Sequence, residues 1–243
     1  MALAHSPSIT TNGLLQVLDS ANTRSYPGTG TTWRDVSGNG LTYTAPDGVT
    51  FSSNVFTFDG IANRFQGASS IKWSASGTVG FQLLTISMWV RTADTTGNFY
   101  SKPWNGSGEY NIRITPTSFI LGCGATYATA TQNFPGPVQT AIAANTWVNI
   151  VCWMNGSNYG YDINGNTFTG SAAHGLTGAA STAIGDLNEN TCLMSLYPYT
   201  AGWAGNTSFS INGSMSLCTV YNRVLSASEI KQNFDAYRGR YGV

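Results

Sequence analysis

Charge is the scarcest property of this sequence. Lys, Arg, Asp and Glu make up 9% of its 243 residues, against about 25% in an average soluble domain. The 11 basic and 11 acidic residues cancel. No stretch clusters Lys and Arg, so the electrostatic footprint of a nucleic-acid binder is missing. Disorder needs low hydrophobicity with high net charge, and this chain is 42% apolar. With so few charges, Ser, Thr, Asn and Gly must keep the surface wet, which suits a protein packed against neighbours or displayed on a particle. No run approaches the ~20 apolar residues of a membrane-spanning helix. Met1-Ala-Leu-Ala-His-Ser-Pro lacks the basic and apolar regions of a signal peptide, so no secretory leader is expected.

The residues of catalysis are just as sparse. The two histidines, His5 and His174, sit in a terminal tail and a Gly/Ala-rich stretch. No Gly-x-Ser-x-Gly elbow and no Gly-x-x-x-x-Gly-Lys phosphate loop is present. Retaining glycosidases need two carboxylates ~5–5.5 Å apart. The three glutamates, Glu109, Glu189 and Glu229, each lack a carboxylate two residues on, and Asp186 and Glu189 share only a loop-like segment. The chain is therefore expected not to be an enzyme. Cys123, Cys152, Cys192 and Cys218 form no C-x-x-C pair. Cys152 and Cys218 lie in apolar runs and read as small buried hydrophobes.

Strands dominate what remains. Leu14-Leu-Gln-Val-Leu, Val55-Phe-Thr-Phe, Leu84 to Arg91, Tyr110 to Ile114, Trp147 to Met154, Ser208 to Ile211 and Met215 to Tyr221 read as strands, several with the period-two alternation of a half-buried sheet. Tyr159–Ile163 and Asn166–Phe168 flank Asn164-Gly165, the strongest short hairpin signal because both central positions favour positive φ. Asp59-Gly60 reads as a turn. One helix is expected, over about 226–237. Ser226-Ala-Ser-Glu229 forms a capping box, and Ile230, Phe234 and Tyr237 share one face. No linker or repeat divides the chain, so residues 13–243 read as one domain behind a tail of residues 1–12.

Five segments in order carry a resemblance. They are Gly13-Leu-Leu-Gln-Val-Leu-Asp-Ser-Ala-Asn, Trp33-Arg-Asp-Val-Ser-Gly-Asn-Gly, Phe56-Thr-Phe-Asp-Gly, Thr85-Ile-Ser-Met-Trp-Val-Arg, and Val220-Tyr-Asn-Arg-Val-Leu-Ser-Ala-Ser-Glu-Ile. Together they resemble the concanavalin A-like lectin/glucanase superfamily in its laminin-G-like form. The fold implied is an all-β, two-sheet antiparallel jelly-roll sandwich with one short C-terminal helix. His5-Ser-Pro-Ser-Ile, Ser25-Tyr-Pro-Gly-Thr-Gly-Thr-Thr-Trp and Gln232 to Gly242 are further similar to laminin-G-like domains of tailed-phage virion proteins, especially marine ones. That likeness implies a non-enzymatic virion component, a capsid decoration or fibre-type module. It would be assembled in the bacterial cytoplasm and hold other virion proteins by protein contacts. The alternative it leaves open is a lectin-like module that grips host polysaccharide.

Candidate contacts follow. Tyr197, Tyr199 and Trp203 stand among Pro and Gly in Leu196-Tyr-Pro-Tyr-Thr-Ala-Gly-Trp-Ala-Gly, and Trp104 in Lys102-Pro-Trp-Asn-Gly. Loop aromatics of this kind are credible binding residues. They suit a protein neighbour, a glycan, or packing back on the core. Trp33, Trp89, Trp147 and Trp153 fall in strand patterns and read as core. The resemblance also implies a structural Ca²⁺ in a rim loop, where Asp35 and Asn39 of Asp35-Val-Ser-Gly-Asn-Gly could supply oxygens. Relatives carry acidic residues where this chain has Ser216-Leu217-Cys218. That departure favours a tight turn in which Asp35 accepts backbone N–H groups, and no cofactor is required. No heptad pattern is present, so a homo-oligomer would have to use sandwich faces or loops.

Overall fold

The computed structural model describes residues 8–67, 84–94, 97–101, 111–114, 118–122, 131–135, 143–155, 158–170, 191–195 and 210–243. The strands in chain order are β1 (Leu14–Asp19), β2 (Thr32–Arg34), β3 (Thr42–Thr44), β4 (Thr50–Ser52), β5 (Val55–Asp59), β6 (Phe65–Gly67), β7 (Leu84–Thr92) and β8 (Gly97–Ser101). They continue as β9 (Asn111–Ile114), β10 (Ser118–Gly122), β11 (Thr131–Pro135), β12 (Val148–Asn155), β13 (Asn158–Ile163), β14 (Asn166–Gly170), β15 (Thr191–Leu193) and β16 (Asn212–Tyr221). The helix α1 (Ala227–Tyr241) follows. One sheet runs β14-β13-β12-β7-β16-β5-β4, with β1 beside β5 along the same edge of β16; the other runs β11-β10-β9-β8-β15-β6-β3-β2. Every pairing is antiparallel. The expected mostly antiparallel sandwich with a C-terminal helix is the observed architecture.

Alternation on β7 sorts the two faces. Leu84, Ile86, Met88 and Val90 join the core between the sheets with Phe56, Phe58, Trp33 and Phe65. Trp89 points the other way, into a second cluster with Val17, Leu217 and Phe234. β16 changes phase partway: Met215 pairs with Val90, whereas Leu217 pairs with Trp89, leaving Ser216 as the extra residue of a bulge. A bulge of one residue reverses which side chains face the core. Met215 therefore enters the inter-sheet core while Leu217 meets the helix. Asn164 and Gly165 close the β13–β14 hairpin with φ of 53° and 79°. Gly160, opposite Trp153, leaves the room that the indole occupies, since a Cβ there would strike its ring.

Three sequence boundaries change. The helix runs to Tyr241, a turn beyond the expected 237, and ends on Gly242 at φ 71°. The cost of Gly239 inside it (about 1 kcal/mol) is offset because Tyr241 stacks on Trp89 at 4.1 Å and Arg240 grips Asp19 through two hydrogen bonds of 2.7 and 3.0 Å. The tail is shorter than residues 1–12. Thr10 donates its N–H to Asn233 Oδ1 at 2.8 Å, and its carbonyl accepts the Tyr221 hydroxyl at 3.0 Å. Ile9 packs into the cluster under the helix. Of the expected Ser208–Ile211 strand, Ser210 and Ile211 are irregular and the ladder begins at Asn212, while Ser208 and Phe209 lie outside the described residues.

The capping box forms as read: Glu229 donates its N–H to Ser226 Oγ at 3.3 Å, and Glu229 Oε2 accepts the Ser226 N–H at 2.9 Å. Arg223 adds a bidentate grip at 2.5 and 2.8 Å. Hydrogen bonding to Arg223 and then to Ser226 holds the Glu229 carboxyl down to about 2. Because the folded value lies below the unfolded one, near ~4.3, this stabilisation is complete above about pH 5 and is lost as pH falls toward 2. Glu229→Gln should therefore destabilise by no more than about 1 kcal/mol at pH 7, a partly exposed pair being screened by solvent. The gap between variant and wild type in urea melts should close as the pH is lowered to 2–3.

Candidate ligand-binding rim

The four aromatic candidates, Tyr197, Tyr199, Trp203 and Trp104, lie outside the described residues. The roots of their two segments are described, and they meet. Ser101, the last residue of β8, donates its hydroxyl to the Ser195 carbonyl at 2.6 Å. Ser195 and Ser210, which bracket the 196–209 segment, have their hydroxyls 3.1 Å apart. The Ile211 N–H closes the base on the Met194 carbonyl at 3.1 Å. Met194 is fully buried with φ 65°, a left-handed conformation that an unbranched apolar residue holds only when its surroundings impose it. Trp104 follows Ser101 by three residues, and Tyr197 follows Ser195 by two.

Beside these roots stands the turn after β5. Asp59 Oδ1 accepts the N–H groups of Ile61, Ala62 and Asn63 at 2.9, 3.0 and 3.1 Å. Slight burial opposes the charge, but the three N–H bonds outweigh it and lower the Asp59 pKa. The turn holds Ile61 outward at 63% exposure, while its carbonyl lies 3.4 Å from the Ser210 hydroxyl. An exposed branched side chain thus sits at the point where the aromatic segment returns. The sequence marked Asp59-Gly60 as a turn but carried no signal that Ile61 would adjoin Ser210. That adjacency comes from β16 pairing with β5.

The Asp35 loop is a closed turn. Asp35 Oδ1 accepts the N–H of Val17 at 2.7 Å and of Ser37 at 2.8 Å, and its Oδ2 accepts the Ser37 hydroxyl at 2.7 Å. Asn39 turns its amide N–H₂ to the Leu15 carbonyl and to Ser37 Oγ, both at 2.9 Å. These bonds tie the loop to β1, and the Asp35 carboxylate is occupied by protein donors. Among the described residues no group of three or more His, Cys, Asp or Glu could hold a metal ion.

Nucleophilic chemistry is also opposed by the surroundings. Cys152, Cys192 and Cys218 are free and buried, and desolvation pushes all three thiols up, away from the thiolate that reacts. Among the tryptophans, Trp33 and Trp89 are fully buried, as expected, although Trp89 lies under the helix. Trp147 and Trp153 are only partly buried on the outer face of the β7 sheet. They follow the strand pattern, but the helix is too narrow to cover that face completely. Among the described residues, no helix is long and apolar enough to cross a membrane.

No family model matches the chain, and no curated protein sequence matches it. Solved structures do. The chain is similar to botulinum neurotoxin type C in a structure concerning cell entry through interaction with two ganglioside molecules, with TM-score 0.65, 15% identity and 93% of this chain covered. It is similar to the binding domain of serotype D, with TM-score 0.64, 12% identity and 95% covered. It is likewise similar to the serotype D ligand-binding domain in complex with N-acetylneuraminic acid, with TM-score 0.60, 10% identity and 93% covered. The chain spans about half the length of these structures, 51% of each. At such identity the likeness is one of fold: a concanavalin A-like jelly roll of the kind found in neurotoxin receptor-binding domains.

Proposed function

We propose that this chain is a non-catalytic, lectin-like binding module that takes carbohydrate at the rim where the 102–110 and 196–209 segments are rooted. The observation that carries this reading is the convergence of Ser101, Ser195 and Ser210, which gives Trp104 and the Tyr197/Tyr199/Trp203 group one base instead of two. Aromatic rings offer a flat apolar face with a polar edge, and loops on a rigid sandwich are where binding residues gather. The matched structures support it, since two of them concern gangliosides and N-acetylneuraminic acid. They give no support to a virion role, and that placement rests on the resemblance of the His5, Ser25 and Gln232 segments alone.

A glycan array probed with the full chain tests the proposal. Retention of a defined set of oligosaccharides is expected, with Trp203→Ala reducing it at least tenfold while the melting temperature is unchanged. An array with no retained glycan, or retention indifferent to Trp203→Ala, would sink it.

A further inference from the structure

Beyond the rim, the outer face of the β7 sheet carries an arginine without a counter-charge. Arg91 is half-buried on β7, with its Cζ 5.3 Å from the centroid of the Trp147 ring. Its Nη2 donates to Ser214 Oγ at 3.3 Å. Among the described residues, Arg64, Arg223, Lys231, Arg238 and Arg240 each pair with a carboxylate; Arg24, Arg34 and Arg91 do not, and of these three Arg91 alone is half-buried. A guanidinium has five N–H donors in a rigid fork. Only one is engaged here, and by a neutral acceptor.

Its surroundings fix its direction. Tyr241 tilts against Trp147 at 4.9 Å, so the end of α1 braces the indole from one side and Arg91 lies over the ring. The row Trp89–Leu217 lies under the helix. The next row outward on the same face runs Arg91, Ser214, Thr57 and Thr50 across four strands, and Thr57 and Thr50 are exposed. We infer that this row is a second binding site, selective for a carboxylate-bearing saccharide. Arg91 would clamp the sugar carboxylate and the hydroxyls of Thr57 and Thr50 would meet sugar hydroxyls. The planar fork matches a carboxylate in two-point contact. A phosphate dianion calls for more positive charge than one arginine supplies, and no second cation shares the row. Trp147 and Ser214 hold the guanidinium in place beforehand, which limits the ordering cost on binding.

The test is nitrogen–proton NMR titration of the full chain with galacturonate trisaccharide, its neutral methyl ester and inorganic phosphate. The Trp147 indole N–H would be assigned through Trp147→Phe. The acidic trisaccharide is expected to move that signal and to bind at least tenfold more tightly than the ester. Arg91→Gln should weaken it at least tenfold, and Arg91→Lys, which keeps the charge but loses the fork, should fall between. Circular dichroism would confirm that both variants are folded. Equal binding of acid and ester, an unmoved Trp147 signal, an indifferent Arg91→Gln, or phosphate binding as tightly as the saccharide would each overturn the inference. Neutral glycans held through Trp203 on the array would be untouched by such a failure, so the two proposals fail separately.

Discussion

Trp89→Ala is expected to lower the stability of the protein by about 3–5 kcal/mol, read from urea denaturation followed by far-ultraviolet circular dichroism. Trp89 is 1% exposed. It stacks on Tyr241 at 4.1 Å with rings 13° apart and on Phe234 at 5.6 Å with rings 11° apart. It also pairs across the ladder with Leu217. Truncation leaves a cavity under the last two turns of α1, Phe234 to Tyr241, that the backbone of β7, held between β12 and β16, cannot close. What remains on the helix is Ile230, in a separate cluster with Val151, Tyr221 and Leu225, and polar contacts: the capping box at its start, Thr10 on Asn233, and Asp19 on Arg240. Since a domain of this kind has ~5–15 kcal/mol in total, a loss of this size removes a large share of it. Hydrogen exchange should show the amides of α1 opening before those of β7, β12 and β16, because the core between the sheets is untouched. A loss under 1 kcal/mol would show that the helix rests on the sheet without relying on this stack.

The same region shows where sequence reading succeeds and where it stops. β5, β7 and β12, the Asn164-Gly165 hairpin and the capped helix are long or strongly marked, and alternation or turn chemistry identifies them. β2, β3, β4, β6 and β15 have three residues each, too few for a period to show, and they exist because neighbouring strands offer them partners. β8 reads Gly-Asn-Phe-Tyr-Ser and is buried throughout, so no polar alternation marks it. The Ser216 bulge is likewise silent, though it decides which side of the sheet Leu217 faces. For the candidate rim, aromatic residues among Pro and Gly were visible, but the meeting of Ser101, Ser195 and Ser210 is a long-range contact. The setting of Arg91 is a matter of register as well: it depends on Ser214 of β16 falling opposite it, and no local pattern encodes that.

Phe56→Ala should cost a similar 3–5 kcal/mol, but its signature should differ from that of Trp89→Ala. Phe56 is fully buried on β5. Its ring lies 4.7 Å from Tyr26, 4.8 Å from Trp33, 5.0 Å from Phe51 and 4.7 Å from Phe65. Trp33 and Phe65 belong to the opposite sheet, so this ring joins the two layers. Tilted and edge-on aromatic pairs contribute ~0.5–1.5 kcal/mol each beyond buried area, and four are lost together. No element can detach to relieve the cavity, so the whole sandwich should unfold in one transition at lower urea, with α1 amides no more exposed beforehand than in the wild type. Phe56→Leu refills most of the volume and should recover more than half of the loss, leaving mainly the aromatic contribution. If Phe56→Ala and Trp89→Ala gave the same exchange pattern, the division into an inter-sheet core and a helix-covered cluster would be wrong. The two outcomes together separate the packing that makes the sandwich from the packing that fastens the helix on it.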